Sequence, residues 1–289
     1  MSKRENLLYL KEQMKALGFR PKKSLGQTFL LKMDIARKMV NLLEIEKGER
    51  VLEIGPGFGA LTTFLLEKRK EIDFSLTLIE KDRKLHAFLK KHFPEVEIVC
   101  GDVLTFELSG FDKFISTLPY SITTPLSLKM FELKFKKAVF MYQKEFAERL
   151  TARHKDKNYS RIGLKGQFKL NIEKKGTYSP LNFYPRPEVH STLLVLSPRA
   201  QPPFQVEDQQ FFFLIVDILF AYRRKTIQNC LKKEWEKIVN YLNTNCKTSK
   251  TKSHIEETIS KLPYLKKRGE HLKPEEIGKL SDKILDFLH

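Results

Sequence analysis

Cysteine is scarce in this chain of 289 residues. The three cysteines, Cys100, Cys230 and Cys246, lie far apart and show no paired spacing. This usage is typical of a reducing compartment and unlike that of a disulfide-stabilised secreted domain. The seven histidines show no ligand spacing either, so the sequence predicts no metal site.

Long apolar stretches are also absent. The longest, residues 211–220, is interrupted by Asp217 and is too short to span a bilayer, so we expect a buried helix there. The first residues lack the apolar core of a signal peptide, and Glu5 and Glu12 are unusual in a transit peptide. These observations favour a cytoplasmic protein with no membrane partner, and we expect a monomer.

Acidic residues are outnumbered by basic ones. The chain has 35 Asp and Glu against 53 Lys and Arg, which gives a formal net charge of +18. A charge of this size attracts polyanions and makes association sensitive to salt. A lysine-rich composition that merely solvates the surface would give the same count, so the charge favours a nucleic-acid partner without establishing one.

Strand-like and helix-like segments alternate through the first two thirds of the chain. Strands are predicted at 50–55, 74–80, 96–100, 111–117 and 137–142, and helices at 60–69, 82–92, 124–133 and 144–153. This alternation predicts an α/β fold with a doubly wound parallel sheet. A late strand at 189–196 is expected to be antiparallel. Upstream, a helix should end at Gly18, and Asp34 should cap a second helix that ends at Leu43.

The stretch 197–203, with three prolines, is a plausible linker. Everything after it has helical spacing with lysine-rich faces. We therefore predict two domains, residues 1–199 with the sheet and residues 200–289 as a small helical domain.

Three successive predicted strands end in groups that suit an adenosine. The first runs into the glycine-rich turn 55–59, the second ends at Glu80, and the third leads to Asp102. Ligands of open parallel sheets bind at the carboxyl ends of the strands, where an acidic side chain can accept ribose hydroxyls. Each acid alone could be only a helix N-cap. Together they fit a nucleoside without a pyrophosphate, and S-adenosylmethionine is such a ligand.

The fourth strand ends in "STLPYS", residues 116–121. Proline and serine are common in turns, and a plain turn is one interpretation. The alternative is a binding site for a planar amine next to the methyl donor. Carbonyls near Leu118 and Pro119, with the Thr117 hydroxyl, would accept its hydrogens, and Tyr120 would stack on the ring.

Eight stretches, in order over most of residues 20–230, resemble the small-subunit ribosomal RNA adenine dimethyltransferase family. They are "SLGQTFL" (24–30), "VLEIGPGFGALT" (51–62), "LIEKD" (78–82), "GDVLTF" (101–106), "TLPYSITTPL" (117–126), "YQKEFAERL" (142–150), "FYPRPEVHS" (183–191) and "YRRKTIQN" (222–229). The resemblance implies a Rossmann-like S-adenosylmethionine-dependent methyltransferase domain with a small helical C-terminal domain. It also implies dimethylation of adenine N6 at two adjacent adenosines near the 3′ end of small-subunit ribosomal RNA.

The resemblance also implies site residues. Those expected to line the cofactor site are Gln27, Thr28, Leu30, Gly55, Gly57, Glu80, Asp102, Val103 and Thr117. Those expected at the target base are Thr117, Leu118, Pro119, Tyr120 and Phe183, with Tyr120 and Phe183 on either side of the flipped adenine.

Two positions depart from the family pattern. The family usually has Asn or His where this chain has Thr28, and Asn where it has Thr117. A threonine hydroxyl is shorter than an amide, and losing one buried hydrogen bond costs about 1–3 kcal/mol. In a transition state that is about one to two decades of rate, so we expect slower transfer.

Candidate phosphate contacts are Arg20, Lys22, Lys23, Arg149, Arg153, Arg223, Arg224 and Lys225. A single basic cluster is usually a solvated face, but the net charge and the resemblance favour RNA contact here. Two other functions stay open on the sequence alone. One is an adenine methyltransferase of the same fold that acts on large-subunit RNA. The other is a non-catalytic ribosome-assembly factor that binds RNA. The threonines at positions 28 and 117 are the features that leave this alternative open.

Overall fold

The computed structural model describes residues 2–22, 26–245 and 252–288. The chain divides into two compact units. The first comprises Met1–Thr151 and Lys169–Arg199, and the second comprises Ala152–Phe168 and Ala200–His289.

The first unit is built on a twisted mixed sheet. Within the described residues it has seven strands in the order β4-β3-β2-β5-β6-β9-β7. The strands are β2 (Arg50–Ile54), β3 (Ser75–Glu80), β4 (Glu97–Cys100), β5 (Lys113–Thr117), β6 (Lys137–Gln143), β7 (Leu170–Tyr178) and β9 (Ser191–Pro198). Strands β4, β3, β2, β5 and β6 run parallel to one another, and β9 pairs antiparallel with both β6 and β7. The predicted doubly wound α/β fold and the antiparallel late strand are thereby confirmed.

The helices of the first unit are α1 (Lys3–Ala16), α2 (Met33–Leu43), α3 (Ala60–Arg69), α4 (Arg83–His92), α5 (Thr123–Glu132) and α6 (Lys144–Thr151). Helices α3, α4 and α5 each connect two parallel strands of the sheet. A separate ribbon pairs β1 (Phe29–Leu30) antiparallel with β8 (Phe183–Tyr184). The central strands β2, β3 and β5 are buried over most of their length, polar residues included, because the sheet is covered on both faces.

The second unit is helical. Its helices are α7 (Arg161–Lys169, which ends at the boundary with the first unit), α8 (Gln209–Ala221), α9 (Ile227–Lys233), α10 (Trp235–Asn245), α11 (Lys252–Lys261) and α12 (Pro274–Leu288). Helix α8 contains the apolar run 211–220 and is buried, as predicted.

Three details differ from the sequence predictions. Residues 152–168 belong to the second unit because Tyr159, Leu164 and Phe168 pack in its apolar core, where the Phe168 and Phe212 rings lie 5.1 Å apart. Strand β7 was not predicted, since it is a largely exposed edge strand with a polar sequence. The N-cap of α2 is Lys32, and Asp34 lies instead in the first turn, where a carboxylate still favours the helix dipole.

Candidate active site

A glycine turn joins β2 to α3. Gly57 has φ of 61°, a left-handed conformation that side chains rarely adopt. A Cβ added at Gly57 would lie 2.9 Å from two carbon atoms of the Phe29 ring. Glycine is therefore required both by the backbone and by the space. The turn leads directly into the N-terminus of α3, whose free N–H groups face a ligand in this place.

Glu80 ends β3 and is buried. Its Oε2 accepts a hydrogen bond from the Gly57 N–H at 3.2 Å, and its Oε1 accepts one from the Asp82 N–H at 2.9 Å. Burial raises the pKa of Glu80 above its ordinary value, although these amides oppose the shift. Each carboxylate oxygen keeps a second lone pair, which is available to the hydroxyls of a ribose.

Asp102 follows β4 by two residues. Its Oδ1 accepts from the Leu104 N–H at 2.9 Å, and its Oδ2 accepts from the Lys81 ammonium at 2.7 Å. The Lys81 ammonium beside Asp102 holds the pKa of that carboxyl below its ordinary value. The loop after Asp102 is further held by Lys129, whose ammonium donates to the Phe106 carbonyl at 2.6 Å. Asp102 is thus an ionised, oriented acceptor.

Glu53 is a site residue that the sequence reasoning missed. Its carboxylate is almost fully buried in β2, and Oε2 accepts a 2.7 Å hydrogen bond from the Thr62 hydroxyl. Oε1 has no partner among the described residues, and burial raises the pKa of Glu53 to about 8. An acid inside an otherwise apolar strand, immediately before a glycine turn, was the available signal.

These groups open onto one cavity of about 630 Å³. Glu53, Glu80 and Asp102 belong to its wall, as does the glycine turn. The other predicted cofactor residues in the wall are Gln27, Thr28, Leu30, Gly55, Gly57, Val103 and Thr117. The structure therefore brings every predicted cofactor residue to the same cavity, which has the size of a small-molecule site.

The turn after β5 forms another part of the cavity. Thr117 and Pro119 line it, whereas Leu118 is buried and Tyr120 begins a short 3₁₀ helix, Tyr120–Ile122. The Pro119 carbonyl already accepts from the Ile122 N–H at 3.2 Å and from the Thr123 hydroxyl at 3.3 Å. No described residue donates to the Leu118 carbonyl. Of the two carbonyls, that of Leu118 is the one without a donor in the described part of the chain.

Tyr120 is half-buried, and its hydroxyl lies 3.5 Å from the Ser191 Oγ. Burial raises the pKa of Tyr120, with the Ser191 contact opposing it, so the phenol stays neutral.

Neither Tyr120 nor Phe183 belongs to the cavity wall, although Thr117, Pro119 and Ser121 of the same turn do. Phe183 lies in β8, opposite Leu30 of β1, and its ring is buried in the main apolar core of the first unit. The sandwich of an adenine between Tyr120 and Phe183 stays a prediction.

The predicted phosphate contacts fall into different environments. Arg20, Arg153 and Arg224 are exposed, and Lys23 lies outside the described residues. The Arg149 guanidinium lies 6.0 Å from the centre of the Phe146 ring. Arg223 pairs with Glu270 at 2.8 Å, and Lys22 pairs with the buried Asp82 at 2.8 Å. Arg223 and Lys22 are therefore neutralised by carboxylates.

Tertiary structure adds basic residues to the 222–225 stretch. The Ile227 N–H donates to the Lys267 carbonyl at 2.8 Å, and Thr226 forms a bridge with Arg268. The exposed side chains of this surface of the second unit, which we call the basic ridge, are Arg224, Lys225, Lys266, Lys267 and Arg268. The Lys225 and Lys267 ammonium groups lie over the rings of Tyr222 and Tyr264, at 5.6 Å and 4.8 Å from the centres.

The cavity fits S-adenosylmethionine. Glu80 and Asp102 stand at adjacent strand ends, where they would supply acceptors for the ribose hydroxyls and the adenine amine. Glu53 belongs to the same wall, and its Oε1 has no partner among the described residues. When bound, the cofactor supplies an electrophilic methyl group. Among the described residues, no group of His, Cys, Asp and Glu is arranged to hold a metal ion.

Fold and cavity together define a Rossmann-like S-adenosylmethionine-dependent methyltransferase, and comparison with known proteins identifies its family. The family described as "Ribosomal RNA adenine dimethylase" matches residues 18–267. The chain belongs to this family of enzymes, which methylate adenine in ribosomal RNA with S-adenosylmethionine.

Individual relatives agree. A protein of Thermococcus gammatolerans named "Probable ribosomal RNA small subunit methyltransferase A" is 36% identical, covering 90% of this chain and 88% of its own length. The protein of the same name from Pyrococcus abyssi is 33% identical, covering 96% of each chain.

Solved structures are also similar. A dimethyladenosine transferase from Plasmodium falciparum superposes with a TM-score of 0.72 at 27% identity, covering 87% of this chain and 95% of its own. The 23S rRNA methyltransferase ErmE superposes with a TM-score of 0.61 at 22% identity, covering 89% and 99%, which shows a shared fold. Separately, no helix in the described ranges is long and apolar enough to cross a membrane.

Proposed function

We propose that this enzyme dimethylates N6 of two adjacent adenosines near the 3′ end of small-subunit ribosomal RNA. Its relatives from Thermococcus and Pyrococcus, similar over nearly their whole length, are named for the small subunit. The observation that carries the proposal is that Thr117 and Pro119 line the same cavity as Glu53, Glu80 and Asp102. A target amine at the turn would lie beside the methyl donor.

The cofactor is held, in this proposal, by the carboxyl ends of three strands. Glu80 accepts the ribose hydroxyls, and Asp102 accepts the adenine amine. Glu53 faces the cationic end, and Gln27, Thr28 and Leu30 close the cavity from the N-terminal segment. These roles follow from each group's hydrogen-bonding capacity and from its place in the wall.

The target adenine is held by the turn after β5. The Leu118 carbonyl, which has no donor among the described residues, accepts one hydrogen of the amine, and the Thr117 hydroxyl accepts the other. Two acceptors on an aromatic amine favour its pyramidal form and free its lone pair for transfer. Tyr120 stacks on the base and holds the amine in place, so alignment supplies most of the rate.

The RNA backbone is held by basic side chains of both units. Arg20 and Arg149 contribute from the first unit, and Arg153 and the basic ridge contribute from the second. An enzyme that modifies a base must hold the flanking phosphates while the base is extruded. The Lys–Tyr contacts of the ridge leave cationic groups at the surface, where they can meet phosphates.

Radiolabelled methyl transfer to unmodified small and large ribosomal subunits tests the proposal. We expect label in the small subunit alone, and mapping should place it on two adjacent adenosines as dimethyladenosine. Label in the large subunit would identify the other substrate class. Tight RNA binding without transfer to either subunit would indicate an assembly factor.

We also propose a cytoplasmic monomer. Cys100 and Cys230 are unpaired thiols, as expected in a reducing compartment. Light scattering coupled to size exclusion measures the mass in solution, and a mass near twice 33.9 kDa would overturn the monomer.

A further inference from the structure

Lys22 was predicted as a phosphate contact, but its ammonium lies 2.8 Å from Oδ2 of Asp82. The two partners differ greatly in exposure: the Lys22 side chain is 58% exposed, and that of Asp82 is 2% exposed. A buried carboxylate needs a counter-charge or several hydrogen-bond donors, whereas an exposed ammonium needs neither. The pair therefore matters more to Asp82 than to Lys22.

Asp82 connects directly to the proposed cofactor site. It caps α4, where its Oδ1 accepts from the Lys84 N–H at 2.9 Å, and its own N–H donates to Glu80 Oε1 at 2.9 Å. Burial would raise the pKa of Asp82, yet the Lys22 ammonium and the α4 amides outweigh burial and lower it. The carboxylate is thus ionised two residues from the proposed ribose acceptor.

Lys22 also connects to the segment that closes the cavity. Its backbone N–H donates to the Gln27 side-chain carbonyl at 2.8 Å. Gly26 packs so closely on the turn after β5 that an added Cβ would lie 2.8 Å from the Tyr120 nitrogen. Gly26, Gln27 and Thr28 all line the cavity. The position of Lys22 therefore affects both the cofactor wall and the target-base turn.

We propose that Lys22 is a positioning residue: its ion pair with Asp82 holds residues 26–28 against the cofactor site and the Tyr120 turn. This inference rests on the proposed placement of the cofactor. It assigns Lys22 to cofactor binding and removes it from the phosphate contacts. An exposed lysine whose charge is already matched by a carboxylate offers little to a phosphate.

Calorimetric titration with S-adenosylmethionine tests the proposal on four proteins: wild type, Lys22→Met, Lys22→Arg and Lys22→Met combined with Asp82→Asn. Lys22→Met should lower the affinity about tenfold, since it leaves a buried carboxylate unpaired. Lys22→Arg should stay within about threefold of wild type, because it keeps the charge. The double variant should bind better than Lys22→Met, because asparagine still caps α4 and leaves no buried charge.

RNA binding separates positioning from phosphate contact. The slope of log K against log salt should be the same for Lys22→Met and wild type. A slope reduced by about one unit, with unchanged cofactor affinity, would overturn the proposal in favour of a phosphate contact. Equal loss of affinity in the Lys22→Met and double variants would also overturn it, since the effect would not run through Asp82.

Two comparisons keep these outcomes distinct. Lys32→Met removes an equally exposed charge outside the cavity wall and should leave cofactor affinity unchanged. If wild type itself fails to bind S-adenosylmethionine, the proposed cofactor placement fails first. If wild type binds and Lys22→Met binds equally well, only the positioning role of Lys22 is wrong.

Discussion

Glu53 and Thr62 form an unequal pair: Thr62 donates a 2.7 Å hydrogen bond to one Glu53 oxygen, and the other oxygen is buried with no donor in the described part of the chain. Burial raises the pKa of Glu53 from 4.5 to about 8. The folded protein therefore binds the Glu53 proton more tightly than the unfolded chain does. A cation bound next to this oxygen would favour the ionised form of Glu53 and would lower its pKa.

The first prediction concerns stability and pH. Below pH 4.5, Glu53 is protonated in both the folded protein and the unfolded chain. Between pH 4.5 and about pH 8, only the unfolded chain releases this proton. The free energy of unfolding therefore falls as the pH rises. Glu53→Gln stays neutral and lacks this loss. The free energy of unfolding of Glu53→Gln, relative to that of wild type, should rise by on the order of 2–5 kcal/mol between about pH 5 and about pH 9. Urea unfolding at both pH values measures it.

The exposed Glu95 provides the control for this measurement, and Glu95→Gln should follow the wild-type pH dependence. Parallel curves for Glu53→Gln and wild type would mean that Glu53 ionises normally despite its burial.

The second prediction concerns the cofactor acceptors. Asp102→Ala should weaken S-adenosylmethionine binding by about 10- to 100-fold, the value of a hydrogen bond to a charged acceptor. Glu80→Gln should also weaken it, because the single glutamine carbonyl can accept from only one of the Gly57 and Asp82 amides and the variant has one acceptor fewer for the ribose. Calorimetric titration measures both affinities, and circular dichroism checks the fold. Wild-type affinity in both variants would contradict the placement of the adenosine.

The third prediction concerns Tyr120. Tyr120→Ala should reduce methyl transfer below detection with little change in cofactor affinity, since a base–aromatic stack contributes about 1–3 kcal/mol and its loss also misplaces the amine. Tyr120→Phe keeps the ring and loses only the Ser191 contact, so it should retain most of the rate. Single-turnover transfer to unmodified small subunits measures the rates. Equal loss in both variants would assign the role to the hydroxyl.

The fourth prediction concerns Thr117. Thr117→Asn restores the longer amide acceptor of the family pattern and should speed methyl transfer by about one to two decades. The same single-turnover assay measures it, with Thr28→Asn alone and combined with Thr117→Asn for comparison. A rate unchanged or lower would show that the backbone at Leu118 already compensates for the short hydroxyl.

The fifth prediction concerns the basic ridge. Neutralising Lys225, Lys266 and Lys267 together should lower the slope of log K against log salt by about two to three units, if each touches a phosphate. Exposed lysines of the first unit, Lys47, Lys70 and Lys90, serve as a matched control. Equal effects of the two triple variants would mean that net charge, and not the ridge, governs RNA binding.

The sequence alone predicted the alternation of strands and helices from β2 to β6, and it placed Glu80 and Asp102 at the ends of neighbouring strands. Glu80 and Asp102 could be grouped from sequence because the carboxyl ends of parallel strands meet at one edge of a sheet. The glycine turn and Tyr120 were equally readable, since each directly follows a predicted strand. The resemblance in eight ordered stretches predicted the family, which the comparisons confirmed.

Only the tertiary structure decided which partner each side chain meets. Lys22 reaches Asp82 across 60 residues, and Phe183, which pairs with Leu30 through the backbone, is buried in the apolar core. Glu53 lies in β2, which has a neighbouring strand on each side. No local sequence pattern predicts that its Oε1 lacks a hydrogen-bond donor among the described residues. Hydrophobic periodicity predicts which residues of a helix or strand face the core. The partner of a charged side chain, in contrast, depends on contacts between segments that are far apart in the chain.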